Sequence, residues 1–208
     1  MSDKILCNVH NIYKGYNKNI VLKGASLYVK QGEIVGLIGE NGSGKTTLLK
    51  CILGLTGFSK GRVEIISSFG FCPQENILYP KYKVSEHFQL MKSISGYNGS
   101  TGSVYLEKLI DKFNLKQHLE KKIFELSSGS YQKVKLITAL IGSPELLLLD
   151  EPCDGFDWRI YDAYWETINN LKNKTCGILI ITHYIYDFKK YNRVYEIKEG
   201  KLEIVKKN

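Results

Sequence analysis

The stretch Gly39–Thr46, reading GENGSGKT, constrains this chain more than any other. It matches GxxxxGK[ST] and stands between a short apolar run, Glu33–Ile38, and a segment, Lys45–Leu53, whose apolar residues recur at helical spacing. A strand that feeds a glycine-rich turn and then a helix makes backbone amides converge on one point. Glycine permits the backbone angles this requires and the helix N-terminus adds its positive end, so the loop suits phosphate oxygens. Lys45 is expected to reach the β- and γ-phosphates of a nucleotide, and Thr46 to place its hydroxyl on a magnesium ion. Gly39, Asn41, Gly42, Ser43, Gly44 and Thr47 complete the expected phosphate-contacting set. A random match in a chain of this length has a probability of about 1%.

The surrounding pattern is that of an α/β protein. The opening third reads as strands, delimited first at Val21–Val29, with a turn at Gln31-Gly32. Further strands are expected at Arg62–Ile66 and Phe69–Cys72. From about Val84 to Leu119 the composition shifts to helical periodicity, interrupted by a loop over Gly96–Gly102, which marks a small helical insertion. A second amphipathic helix follows Ser127–Ser130 and runs to about Ile141, where Pro144 stops it. Leu146–Leu149 and Gly177–Thr182 read as buried strands flanking a helix over Trp158–Leu171. A hairpin of Arg193–Lys198 and Lys201–Val205 turns at Glu199-Gly200. Strands alternating with helices predict a mostly parallel sheet, with an antiparallel β portion on the N-terminal side.

Composition narrows the class. At 208 residues, 43% hydrophobic and 24% charged, the chain is expected to form one domain with a real core and not a disordered segment. No window approaches about 18 consecutive apolar residues, and the first residues lack the apolar stretch of a signal peptide. A soluble, intracellular chain is expected. The net charge of +8 rests on scattered lysines not interleaved with aromatics in one stripe, so charge alone decides little; no nucleic-acid partner is expected. The five cysteines include no CxxC pair, and His10, His87, His118 and His183 lack co-ligand spacing, which argues against zinc and a disulfide framework.

A phosphate cradle that hydrolyses its ligand needs carboxylates to steer magnesium and polarise water. Leu146–Leu149 ends in Asp150 and Glu151, and Pro152 marks the end of the strand, so both acids can serve one site. Asp150 is expected to hold Mg²⁺ and Glu151 to activate the attacking water.

With these residues in place the sequence resembles the nucleotide-binding domain of the ABC ATPase superfamily along essentially its whole length. Phe71–Gln74 resembles the Q-loop, Leu126–Ser130 the LSGGQ signature, and Asp154–Asp157 the D-loop. His183 sits where the switch histidine is expected, and Tyr16 matches the aromatic that stacks on adenine, with Tyr13 as its competitor. Three residues depart from the family pattern: Ser128 replaces a glycine, Ser130 the glutamine, and Trp158 a common proline. The resemblance implies a P-loop NTPase core over about 1–74 and 126–208, with a helical subdomain over about 75–125. It implies ATP and Mg²⁺ as cofactors, with Gln74 near the γ-phosphate and the metal, and catalysis by Glu151, His183 and Gln74. It also implies two copies, identical or not, facing head to tail. Each ATP would lie between one copy's Gly39–Thr46 and the other's Ser127 and Gly129.

The implied partner is an integral membrane permease, gripped in the groove around Glu75–Tyr82, with the chain cytoplasmic and peripheral on the inner face of the cell membrane. A soluble role in cofactor assembly is the alternative, and a binding-only switch, motivated by Ser128 and Ser130, is a third. The stretch between Lys45 and Ser127 leaves no room for the long coiled coil of a DNA-repair type. The close of the sequence soon after the hairpin leans towards a small exporter-type subunit.

Overall fold

The computed structural model describes residues 4–17, 19–96, 100–173 and 175–207. The chain opens with two long strands, β1 (Ile5–Tyr16) and β2 (Asn19–Lys30), followed by β3 (Ile34–Ile38) and helix α1 (Lys45–Ile52). Strands β4 (Lys60–Ile65) and β5 (Phe69–Cys72) lead to helices α2 (Val84–Ile94) and α3 (Ser100–Lys112). Two 3₁₀ turns, Lys116–His118 and Ile123–Glu125, precede α4 (Ser128–Leu140). The remainder alternates β6 (Leu146–Asp150), α5 (Trp158–Asn173) and β7 (Gly177–Ile181), and closes on the hairpin β8 (Arg193–Lys198) and β9 (Lys201–Lys207).

Two sheets result. β1 pairs antiparallel with both β2 and β4, forming the three-stranded N-terminal sheet. The larger sheet has the order β5-β6-β7-β3-β8-β9; its first five strands run parallel, and β9 joins antiparallel. β6 and β7 are buried at every residue, as strands covered on both faces must be. Their alternation divides the core. Leu147, Leu149, Ile178 and Ile180 join the apolar faces of α3, α4 and α5, while Leu146, Leu148, Leu179 and Ile181 join α1 and the N-terminal sheet. Each such buried leucine or isoleucine contributes about 1.5–3 kcal/mol relative to exposure. Helix α5 buries Ile160, Tyr164, Ile168 and Leu171, a stripe at helical spacing, and starts where Asp157 Oδ1 accepts from Ile160 N–H at 3.0 Å.

The expected elements recur with shifted edges. The strand predicted over Arg62–Ile66 spans Lys60–Ile65, and β2 extends Val21–Val29 by a residue or two at each end. β1, not delimited by the periodicity, is the central strand of its sheet. The loop predicted over Gly96–Gly102 gives way to helix from Ser100; residues 97–99 lie outside the described ones.

Candidate nucleotide site

Parallel strands end on one edge of their sheet, and here four of those ends carry the predicted residues. β3 runs into Gly39–Thr46, β5 into Gln74, β6 into Asp150-Glu151, and β7 into Thr182-His183. The pairings Cys72↔Leu149, Asp150↔Ile181 and Leu37↔Ile181 hold the ends level, at the place where open α/β sheets bind ligands.

The glycine-rich loop turns into α1 at Gly44, whose φ of 109° lies in the left-handed region that L side chains resist. The first turn of α1 has no acidic residue, and Lys45 is buried with its Nζ donating to the carbonyls of Gly39 (2.7 Å) and Glu40 (3.0 Å). Ser43 Oγ is buried without a hydrogen-bond partner. An ammonium, a helix N-terminus and an unspent hydroxyl, with no acid in that first turn, fit an anionic ligand. Asn41, Gly42, Gly44, Lys45, Thr46 and Thr47 line a cavity of about 340 Å³, together with Tyr16, Gln74, Asp150 and Glu151. The Tyr16 ring is 47% exposed, with Lys14 Nζ 4.6 Å from its centroid. Tyr13 does not line this cavity; its hydroxyl lies against Gly24 instead.

The two acids differ sharply in surroundings. Asp150 is 3% exposed, and burial, reinforced by Glu151, pushes its carboxyl up to about 6 against the opposing pull of Lys45 and Lys135. Glu151 occupies the left-handed region at φ 46° and is held from every side. Its N–H donates to Ile181 O (2.9 Å), its carbonyl accepts from Gln132 Nε2 (3.2 Å), and Oε2 accepts from Thr182 Oγ1 (3.0 Å). Oε1 lies 3.2 Å from His183 Nδ1.

Thr46, Gln74 and Asp150 bring a hydroxyl, an amide and a carboxylate to the same cavity, a hard-oxygen set that suits Mg²⁺ when phosphate oxygens complete it. Among the described residues no cluster of three or more His, Cys, Asp or Glu could hold a metal without such help. Ser127 and Gly129 are not in this lining. Ser127 caps α4, accepting from Ser130 N–H at 3.3 Å, and Gly129 abuts the loop after β6. A Cβ on Gly129 would stand 2.7 Å from Gly155 O, so the signature and Asp154–Asp157 touch backbone to backbone.

Besides Thr182, two residues on α4 escaped the sequence reading. Gln132 grips the Glu151 carbonyl, and Lys135, 3% exposed, donates to the carbonyls of Pro73 and Gln74 at 2.9 Å each. Their only signal was polarity at positions spaced to share the buried face of α4. In the stretch Glu75–Tyr82, Ile77 (57%), Tyr79 (59%) and Tyr82 (42%) are exposed as expected. Leu78 is not: it is buried, and its N–H donates to Tyr131 Oη at 2.9 Å.

The sequence profile of the ABC transporter family matches residues 22–154. Over 196 residues the chain is 34% identical to the ABC-type organic anion transporter ABCA8B of Mus musculus, covering 89% of this chain and 12% of that protein. The chain thus spans about an eighth of the length of the curated relatives it matches. The solved structure of an ATP binding subunit of an ABC transporter superposes with a TM-score of 0.90 at 30% identity, covering 95% of this chain and 88% of that one. The dimeric structure of MJ0796, a bacterial ABC transporter cassette, superposes at 0.83 with 23% identity, covering 95% and 96%. With the phosphate-loop strand inside its sheet and the acids two strands away at the same edge, the chain belongs to the ABC transporter family as an ATP-binding cassette.

Proposed function

We propose that this chain is the Mg²⁺-dependent ATP-hydrolysing cassette that powers a membrane transporter. The observation that carries the reading is the convergence of Lys45, Thr46, Gln74, Asp150 and Glu151 from separate strand ends on one cavity. The α1 N-terminus and Lys45 hold the β- and γ-phosphates, and Tyr16 stacks on the adenine at the cavity mouth. Thr46, Gln74 and Asp150 hold Mg²⁺, which when bound neutralises phosphate charge. Glu151, steadied by Thr182 and His183, takes a proton from the attacking water, and His183 supports the γ-phosphate side.

The signature lies away from the chain's own cavity, which supports a second copy supplying Ser127 and Gly129 across the ATP; the MJ0796 cassette is dimeric by its title. ATP then closes two cassettes and its hydrolysis releases them. Exposed Ile77, Tyr79 and Tyr82, beside Phe124 (63% exposed), offer an apolar grip for a permease on the inner membrane face. Among the described residues no helix is long and apolar enough to cross a membrane. The tethered Glu151 favours turnover over a binding-only switch. The test is Mg²⁺-dependent phosphate release by the purified chain. Activity that Lys45→Ala abolishes together with nucleotide binding supports the reading, and no ATP binding by the wild-type chain overturns it.

A further inference from the structure

Ser130 stands where the family signature carries glutamine, and the structure gives it a neighbour that no motif names. Ser127 Oγ and Ser130 Oγ lie 3.1 Å apart, and Ser130 Oγ lies 3.4 Å from Nε2 of His118, at the end of the 3₁₀ turn Lys116–His118. Ser127 is exposed, Ser130 is 8% exposed, and His118 Nδ1 is buried without a partner. We propose that His118 is a positioning residue for ATP-driven closure, setting through Ser130 the direction in which the Ser127 hydroxyl donates its proton. The proposal rests on the reading of Ser127 as the residue that meets the other copy's γ-phosphate.

Each serine hydroxyl has one proton to give, so the order along the row is fixed by what Nε2 carries. With Nε2 bare, Ser130 donates to the ring and Ser127 donates to Ser130, so both protons point inward. With a proton on Nε2, the ring donates to Ser130, Ser130 turns to Ser127, and the Ser127 O–H faces outward, where a phosphate oxygen accepts it. A neutral ring partitions between these orders; a protonated ring permits only the second. The charges facing the ring are Lys121, just beyond its own turn, and Lys133 on α4. Lys116 and Glu120, its neighbours in sequence, are engaged with Asp111 and Lys83. Burial, together with Lys121 and Lys133, holds His118 below the usual histidine range, so the ring is neutral near pH 7.5 and fills the outward order on acidification.

The test uses the full chain with Glu151→Gln to slow turnover, and reads by light scattering the ATP concentration that half-saturates dimer formation, at pH 7.5 and 5.5. All variants share the same ATP and every group other than those substituted, so differences between variants isolate His118. His118→Gln keeps a donor that does not titrate. Acidification should lower the ATP requirement about fivefold more for the His118 chain than for His118→Gln. His118→Phe and Ser130→Ala, which break the row from either end, should abolish this extra response and so raise the requirement at pH 5.5. If both retain the full response, His118 does not position Ser127, while the nucleotide reading stands. If ATP binds but no dimer forms at either pH, the proposal and the two-copy reading fall together.

Discussion

Asp150 and Glu151 are neighbours in sequence with opposite electrostatic tasks. Burial and Glu151 push the Asp150 carboxyl up to about 6 from its ordinary 3.8, so between these values the folded state holds the extra proton. Stability therefore falls as pH rises through that window and stays reduced above it. Asp150→Asn, which carries no charge, should raise the melting temperature of nucleotide-free protein at pH 7.5 by about 5 °C, an effect of order 2 kcal/mol. The gain should vanish near pH 4 in a thermal scan, and Mg²⁺-dependent turnover should be lost. Glu151→Gln should cost about 10²-fold or more in steady-state phosphate release while leaving ATP binding intact, since the amide keeps the shape but cannot take a proton. Both acids were legible in sequence because Pro152 marks a strand end. The left-handed backbone of Glu151 and its tie to His183 were not, since both depend on β7 lying alongside.

Helix α4 links more of the site than its motif suggests. Its cap is Ser127, its third turn offers Lys135 to the Gln74 loop, and between them Gln132 holds the Glu151 carbonyl. Lys135→Met keeps the stem but strands the carbonyls of Pro73 and Gln74. It should reduce turnover by about tenfold or more with a smaller change in ATP affinity, read by comparing phosphate release with equilibrium nucleotide binding. The sequence showed α4 as amphipathic and nearly delimited it. It could not show that a lysine and a glutamine face inward, because a polar residue's direction is settled only once β5 and β6 close against the helix. Strand β1 was obscured for a related reason. Its register shifts against β2 and β4 break the alternation that marks a strand.

Across the whole molecule, the sheet order is what the local pattern could not supply. Alternating strands and helices pointed to a parallel sheet, but not to β3 lying between β7 and β8, which sets the phosphate loop beside His183. The motifs were readable because each sits at a strand end or helix start. In the proposed pair, ATP should shift the Glu151→Gln chain from monomer to dimer in sedimentation, and Lys45→Ala should remain monomeric at any nucleotide concentration. The bare contact between Gly129 and Gly155 bears on that transition. Two backbones meeting without a side chain between them leave no cushion, so a nudge to one strand of loop is felt undiminished by the other. In the proposed pair, a signature drawn towards the other copy's nucleotide would therefore carry its own cassette's Asp154–Asp157 loop with it.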